Sequence, residues 1–125
     1  MVNLSQKEFD RMVHLAIRRI PEAIRKQLHN IIITVQRRPS RKLLAELDLP
    51  ADEPLLGIFQ GTPLTERSAT VPPLYPDTIF LFQEPLEAMC ANLEELQLEI
   101  EITVVHEVAH YLGMGEAELA ALGYE

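Results

Sequence analysis

Three observations along the 125-residue chain predict an α+β domain. Apolar residues recur at helical spacing in the first 28 residues, three short β-branched or aromatic runs occupy the middle, and Leu93 to Leu112 is free of Gly and Pro. With 47% hydrophobic residues and no long polar tract, the chain can bury one core, so residues 1–125 are expected to form a single domain.

Ser5 followed three residues later by Glu8 is a capping box, and Phe9, Met12, Val13, Ala16, Ile17 and Ile20 then repeat at helical spacing. A first helix is expected from about Gln6 to Arg19. Pro21 cannot continue its hydrogen-bond ladder but suits the first turn of a second helix, over Glu22 to Leu28. Asn30 to Gln36 (NIIITVQ) reads as a strand, and Pro39 to Leu49 as a short connector helix. Pro54 to Gly61 (PLLGIFQG) and Thr78 to Gln83 (TIFLFQ) read as two further strands. The Pro-rich stretch between them is a candidate cleft rim, because long loops in compact domains are often functional.

The next segment carries two conflicting signals. Leu96, Leu98, Ile100, Ile102 and Val104 alternate with polar residues, the period of a half-buried strand. Asn92 and Glu95, however, have N-cap and N3 spacing, and Gly113 is a natural stop. One helix of about 20 residues is therefore expected, with its C-terminal half buried.

Charge and composition exclude several classes of function. Net charge is −8, yet residues 1–42 hold ten of the eleven Lys and Arg against three acids. Those basic residues interleave with apolar helix positions and lack aromatic neighbours for base stacking, so no nucleic-acid partner is expected. The acidic remainder favours a divalent cation. Apolar runs such as Ile31 to Ile33 and Ile79 to Phe82 fall far short of the roughly 20 residues that span a bilayer, so no membrane helix is expected. Charged residues Lys7, Glu8, Asp10 and Arg11 stand where a signal peptide needs an apolar core, which predicts a cytoplasmic protein. A single cysteine, Cys90, supplies neither a disulfide nor a metal-ligand pair and is expected to be buried.

The chemistry lies in His106-Glu107-Val108-Ala109-His110. Histidines four apart on a helix project from one face, so both rings can reach one metal ion. Glu107 lies about 100° around the helix, placed to act on a metal-activated water as general base. Zinc lowers the pKa of such a water to about 7, and the expected reaction is hydrolysis of a peptide bond. The competing reading is a structural pair of buried histidines, each needing a hydrogen-bond partner.

A third ligand has few candidates. Fifteen residues follow His110, so a glutamate on a distant downstream helix is not expected. In the pattern H-E-x-x-H-x-x-G-x-x-ligand a glycine turn returns the residue six after the second histidine, here Glu116, with Glu118 the runner-up. Alternatively, Glu116 is the N-cap or a first-turn acid of a terminal helix over Glu116 to Leu122. Secondary candidates are weaker. Arg67 could bind a substrate carboxylate or an oxyanion, or form a structural ion pair. Tyr111, about 140° from His106, is expected in the core; Tyr124 could donate to a reaction intermediate. Glu99 and Thr103 share the histidine face, while His14 and His29 lack ligand spacing.

Taken with GIFQGTPLTERS (Gly57 to Ser68) and PDTIFLFQEPLE (Pro76 to Glu87), the segment HEVAHYLGMGEAEL (His106 to Leu119) resembles the small bacterial zincin-like metallopeptidases. The resemblance spans most of the chain. It implies a minimal zincin-like fold in which a small, mostly antiparallel sheet of three to four strands packs on the N-terminal helices and a long active-site helix. It also implies Zn2+ on His106 and His110, an acidic third ligand matching Glu116, and Glu107 as catalytic base. Zincins hold an extended substrate on an edge strand above that helix, which here would be Thr78 to Gln83 or Pro54 to Gln60. The sequence departs from better-known Gly-turn zincins in having Glu for their third His and no room for their Met-containing turn. The expectation is therefore a zinc metallopeptidase, monomeric by default, acting on a peptide or protein. Its rival is a non-proteolytic binding or regulatory module on the same fold.

Overall fold

The computed structural model describes residues 2–50, 54–61 and 77–124. The rest of the Pro-rich loop, Arg67 included, lies outside the described residues. Helix α1 (Gln6–Arg19) starts as expected: the Ser5 hydroxyl accepts from the Glu8 N–H, and the Glu8 carboxylate accepts from the Ser5 N–H. Its apolar face buries Phe9, Val13 and Ala16. The expected second helix is divided. Helix α2 (Glu22–Arg25) is one turn, followed by a 3-10 turn over Leu28–Asn30 that leads into strand β1 (Ile31–Gln36). Helix α3 (Arg41–Glu46) is capped by Ser40 and buries no residue fully.

Among the described residues, strands β2 (Gly57–Gln60) and β3 (Asp77–Phe82) complete a three-stranded sheet in the order β1-β3-β2. β3 pairs in parallel with β1, from Ile31 beside Asp77 to Gln36 beside Phe82, and antiparallel with β2. The sheet is thus mixed, where a mostly antiparallel one was expected. Strand length and alternation carry no information about direction; the long connection from β1 to β3 is what permits a parallel pair. β3 is the central strand, which leaves β2, of the two candidate substrate strands, as the one at the sheet's edge among the described residues.

Helix α4 (Gln83–Ala88) follows β3 without a break, and helix α5 (Leu93–Leu112) is the long helix. The Asn92 carboxamide accepts from the Glu95 N–H. Gly113 ends α5 in the left-handed conformation (φ 71°, ψ 27°), and the Met114 N–H returns to the Ala109 carbonyl at 2.9 Å, a Schellman closure. Helix α6 (Glu116–Ala121) follows.

The helical period, not the strand-like alternation, decides burial on α5. Leu96, Ile100, Val104 and Val108, each four apart, are fully buried, whereas Leu98 is 47% exposed. This stripe meets Phe9, Val13 and Ala16 of α1 and Ile79 and Leu81 of β3 in one core. Burying each such side chain contributes roughly 1.5–3 kcal/mol. Cys90 is buried, and burial pushes its thiol pKa up. Among the described residues no helix is long and apolar enough to cross a membrane.

Candidate metal centre

The candidate centre is built on the last two turns of α5. Val104, Val105, Val108 and Ala109 are buried on the core side, so the histidines at 106 and 110 emerge on the opposite flank. Both line a cavity of about 200 Å3 with Met114, Gly115, Glu116, Leu119 and Tyr124. The Schellman turn at Gly113 makes this possible, because it folds the start of α6 back beside the helix end that it follows.

The two histidines differ in environment. Among the described residues His106 Nε2 is buried without a hydrogen-bond partner, which costs roughly 1–3 kcal/mol unless something occupies that lone pair or proton. His110 is largely exposed, with Nδ1 3.2 Å from Glu107 Oε2. A proton on Nδ1 would face that carboxylate and leave Nε2 as the available donor atom. A borderline-soft cation with a preference for imidazole fits both atoms.

Glu107 is held from two sides. Its carboxylate lies 3.2 Å from His110 Nδ1 and faces the backbone N–H of Phe59, which lowers its pKa. That N–H is free because the Phe82 N–H bonds the Leu56 carbonyl, which sets the alternate residues of β2 facing β3 and turns Phe59 to the open edge. The Phe59 ring packs at 5.6 Å on Tyr111, so one residue fixes the edge strand to α5 at two points. Burial pushes the Glu107 carboxyl above its ordinary pKa, while His110 and the Phe59 N–H pull it partly back. A raised carboxyl suits a proton acceptor that works near neutral pH.

Gly57 explains how β2 comes so close to α5. A Cβ at this position would sit 2.8 Å from Thr103 Cγ2 and 3.0 Å from the Phe80 carbonyl oxygen. Thr103 is accordingly buried against the strand.

Glu116 is the first residue of α6 and lines the cavity with both histidines, whereas Glu118 is not among the lining residues. Among the described residues, no three His, Cys, Asp or Glu side chains stand close enough to hold a metal as they are placed. Tyr111 is buried as expected. Tyr124 commits its hydroxyl to Glu101, at 2.7 Å, leaving it no donor for a reaction intermediate. His14 and His29 are exposed. Sequence reasoning missed Phe59, Gly57 and Glu101. A Gly at a strand position was a usable signal of close backbone approach, whereas nothing local marked the other two.

No curated protein matches the chain significantly. A family model described as zincin-like metallopeptidase matches residues 28–124, from the 3-10 turn before β1 through the sheet, the His106 and His110 helix and Tyr124. With that match over most of its length, and with paired histidines, an adjoining glutamate and an edge strand assembled on one helix, the chain belongs to the zincin-like metallopeptidase family.

Proposed function

We propose that the chain is a zinc-dependent peptidase in which His106, His110 and Glu116 hold the ion and Glu107 is the general base. The observation that carries this reading is the buried, unpartnered Nε2 of His106, on a cavity shared with His110 and Glu116. When bound, zinc supplies a Lewis acid and a water acidic enough to deprotonate near pH 7. Glu107, with its raised pKa, accepts the proton and passes it to the leaving amine. The outer edge of β2 is the proposed seat of an extended peptide, which would pair through its main chain beside Glu107. Glu116 is preferred to Glu118 because it lines the cavity.

Three measurements test the proposal. Protein purified without chelator should bind one zinc, and zinc at a hundredfold its Kd should raise stability by about 2.7 kcal/mol. Glu107→Ala should keep zinc and lower hydrolysis of unfolded protein or peptide pools by about 10²–10⁴-fold, whereas His106→Ala should lose both. Equal activity of Glu107→Ala and wild type removes the general-base role. That outcome would favour the second reading, a non-proteolytic module, which draws support from the engagement of Glu107 by His110 and Phe59.

A further inference from the structure

We infer that Tyr124 is a positioning residue for this centre, its hydroxyl latching the turn after α6 onto Glu101 of α5 and so holding Glu116 beside the two histidines. The inference rests on the proposed metal reading for its consequence, although the latch itself is a property of the protein alone.

Helix α6 has little else to hold it. Six residues are far below the length at which a helix is stable alone, none of the six is fully buried, and its N-cap, Gly115, offers no side-chain hydrogen bond. Among the described residues, Leu119 and Tyr124 attach it to the core. Leu119 packs partly buried against it, and Tyr124 is buried with its N–H on the Leu119 carbonyl at 2.9 Å. Gly123, at φ +93° with open space around its α-carbon, makes the turn that brings Tyr124 back.

The receiving group is unusual in its own right. Glu101 is buried in the middle of α5, its Oε2 accepting from Tyr124 at 2.7 Å; its Oε1 lies 3.5 Å from Arg19 Nε at the end of α1 and has no hydrogen-bond partner among the described residues. A buried carboxylate is costly unless paired, and the Tyr124 hydroxyl supplies that pairing while tying the segment after α6 to α5. Tyr124 also lines the cavity with His106, His110 and Glu116. The same side chain therefore closes the latch and walls the site.

The test compares Tyr124→Phe, Glu101→Leu and Glu101→Gln in the full-length protein, using Zn2+ in competition with a chelator and the visible spectrum of the Co2+-substituted protein. Tyr124→Phe deletes the donor. Glu101→Leu deletes the acceptor with an apolar side chain. Both should weaken zinc binding by about ten- to a hundredfold, as loss of a group that orients a ligand does, and should alter the cobalt bands. Glu101→Gln retains an acceptor oxygen and should stay close to wild type. Leu96→Ala, in the core about three turns before His106, should destabilise the fold and leave zinc affinity unchanged. Wild-type affinity and spectrum in both Glu101→Leu and Tyr124→Phe overturn the inference, as does an equal loss in Glu101→Gln. If wild type binds no zinc, the metal reading fails by itself. The latch is then judged by hydrogen exchange of the Glu116–Ala121 amides, which should quicken in Tyr124→Phe and Glu101→Leu; unchanged exchange overturns it.

Discussion

Helices α1 and α6 lie at opposite ends of the described chain and are held by opposite means. α1 has a reciprocal capping box and three residues buried in the core, while α6 has no side-chain cap and no fully buried residue. α6 keeps its place through Leu119 and Tyr124. The two histidines stand on α5, braced by α1 and the sheet, and Glu116 stands on α6. The candidate centre therefore joins a rigid half to a half of low local stability, the kind of segment whose ordering a bound ligand can strengthen.

The largest blow to this contrast should come from the rigid side. Phe9→Ala removes a fully buried ring between α1 and α5 and should cost about 3–5 kcal/mol in urea denaturation. Zinc affinity of the molecules that remain folded should stay near wild type if α1 acts only as a brace. Gly57→Ala should cost about 1–3 kcal/mol by forcing β2 away from Thr103. It should also reduce peptide hydrolysis more than zinc binding, because the strand carries the Phe59 N–H to Glu107 and neither histidine. A parallel loss of both would show that β2 shapes the ligands themselves. Ser5→Ala removes one cap and should cost about 1 kcal/mol with no change in zinc affinity.

The smallest effect concerns alkaline pH and isolates the weak side. Burial and the bond to Glu101 raise the Tyr124 pKa above the roughly 10 of an unfolded tyrosine. The folded protein therefore keeps a proton that the unfolded chain releases. Stability from this group is intact below pH ~10 and is lost as pH rises from there toward the folded value. In urea denaturation at pH 9 to 11, Tyr124→Phe should lose less stability than wild type; parallel curves would exclude a perturbed Tyr124.

Legibility in the sequence followed the same division. α1 and α5 were readable residue for residue because Ser5, Glu8, Asn92 and Gly113 place end signals where the backbone needs them, and apolar spacing marks the buried stripe. α4 was not readable. It follows β3 directly, has Phe82 as N-cap and Pro85 within it, and draws support from contacts remote in sequence: Gln83 and Glu87 are buried and bond the Leu4 backbone. The paired histidines and the glutamate six residues on were visible as spacing. Which donor atoms are unpartnered, and which strand meets Glu107, were not.

The sequence by itself determined the long helix, its stop at Gly113, and the presence of His106, Glu107, His110 and Glu116 within one short segment, because these depend on local periodicity and backbone conformation. Tertiary structure alone decided the parallel pairing of β1 with β3, the approach of β2 to α5 over Gly57, and the meeting of Tyr124 with Glu101. Each of these joins residues more than 20 positions apart, and such pairings are set by which surfaces bury one another.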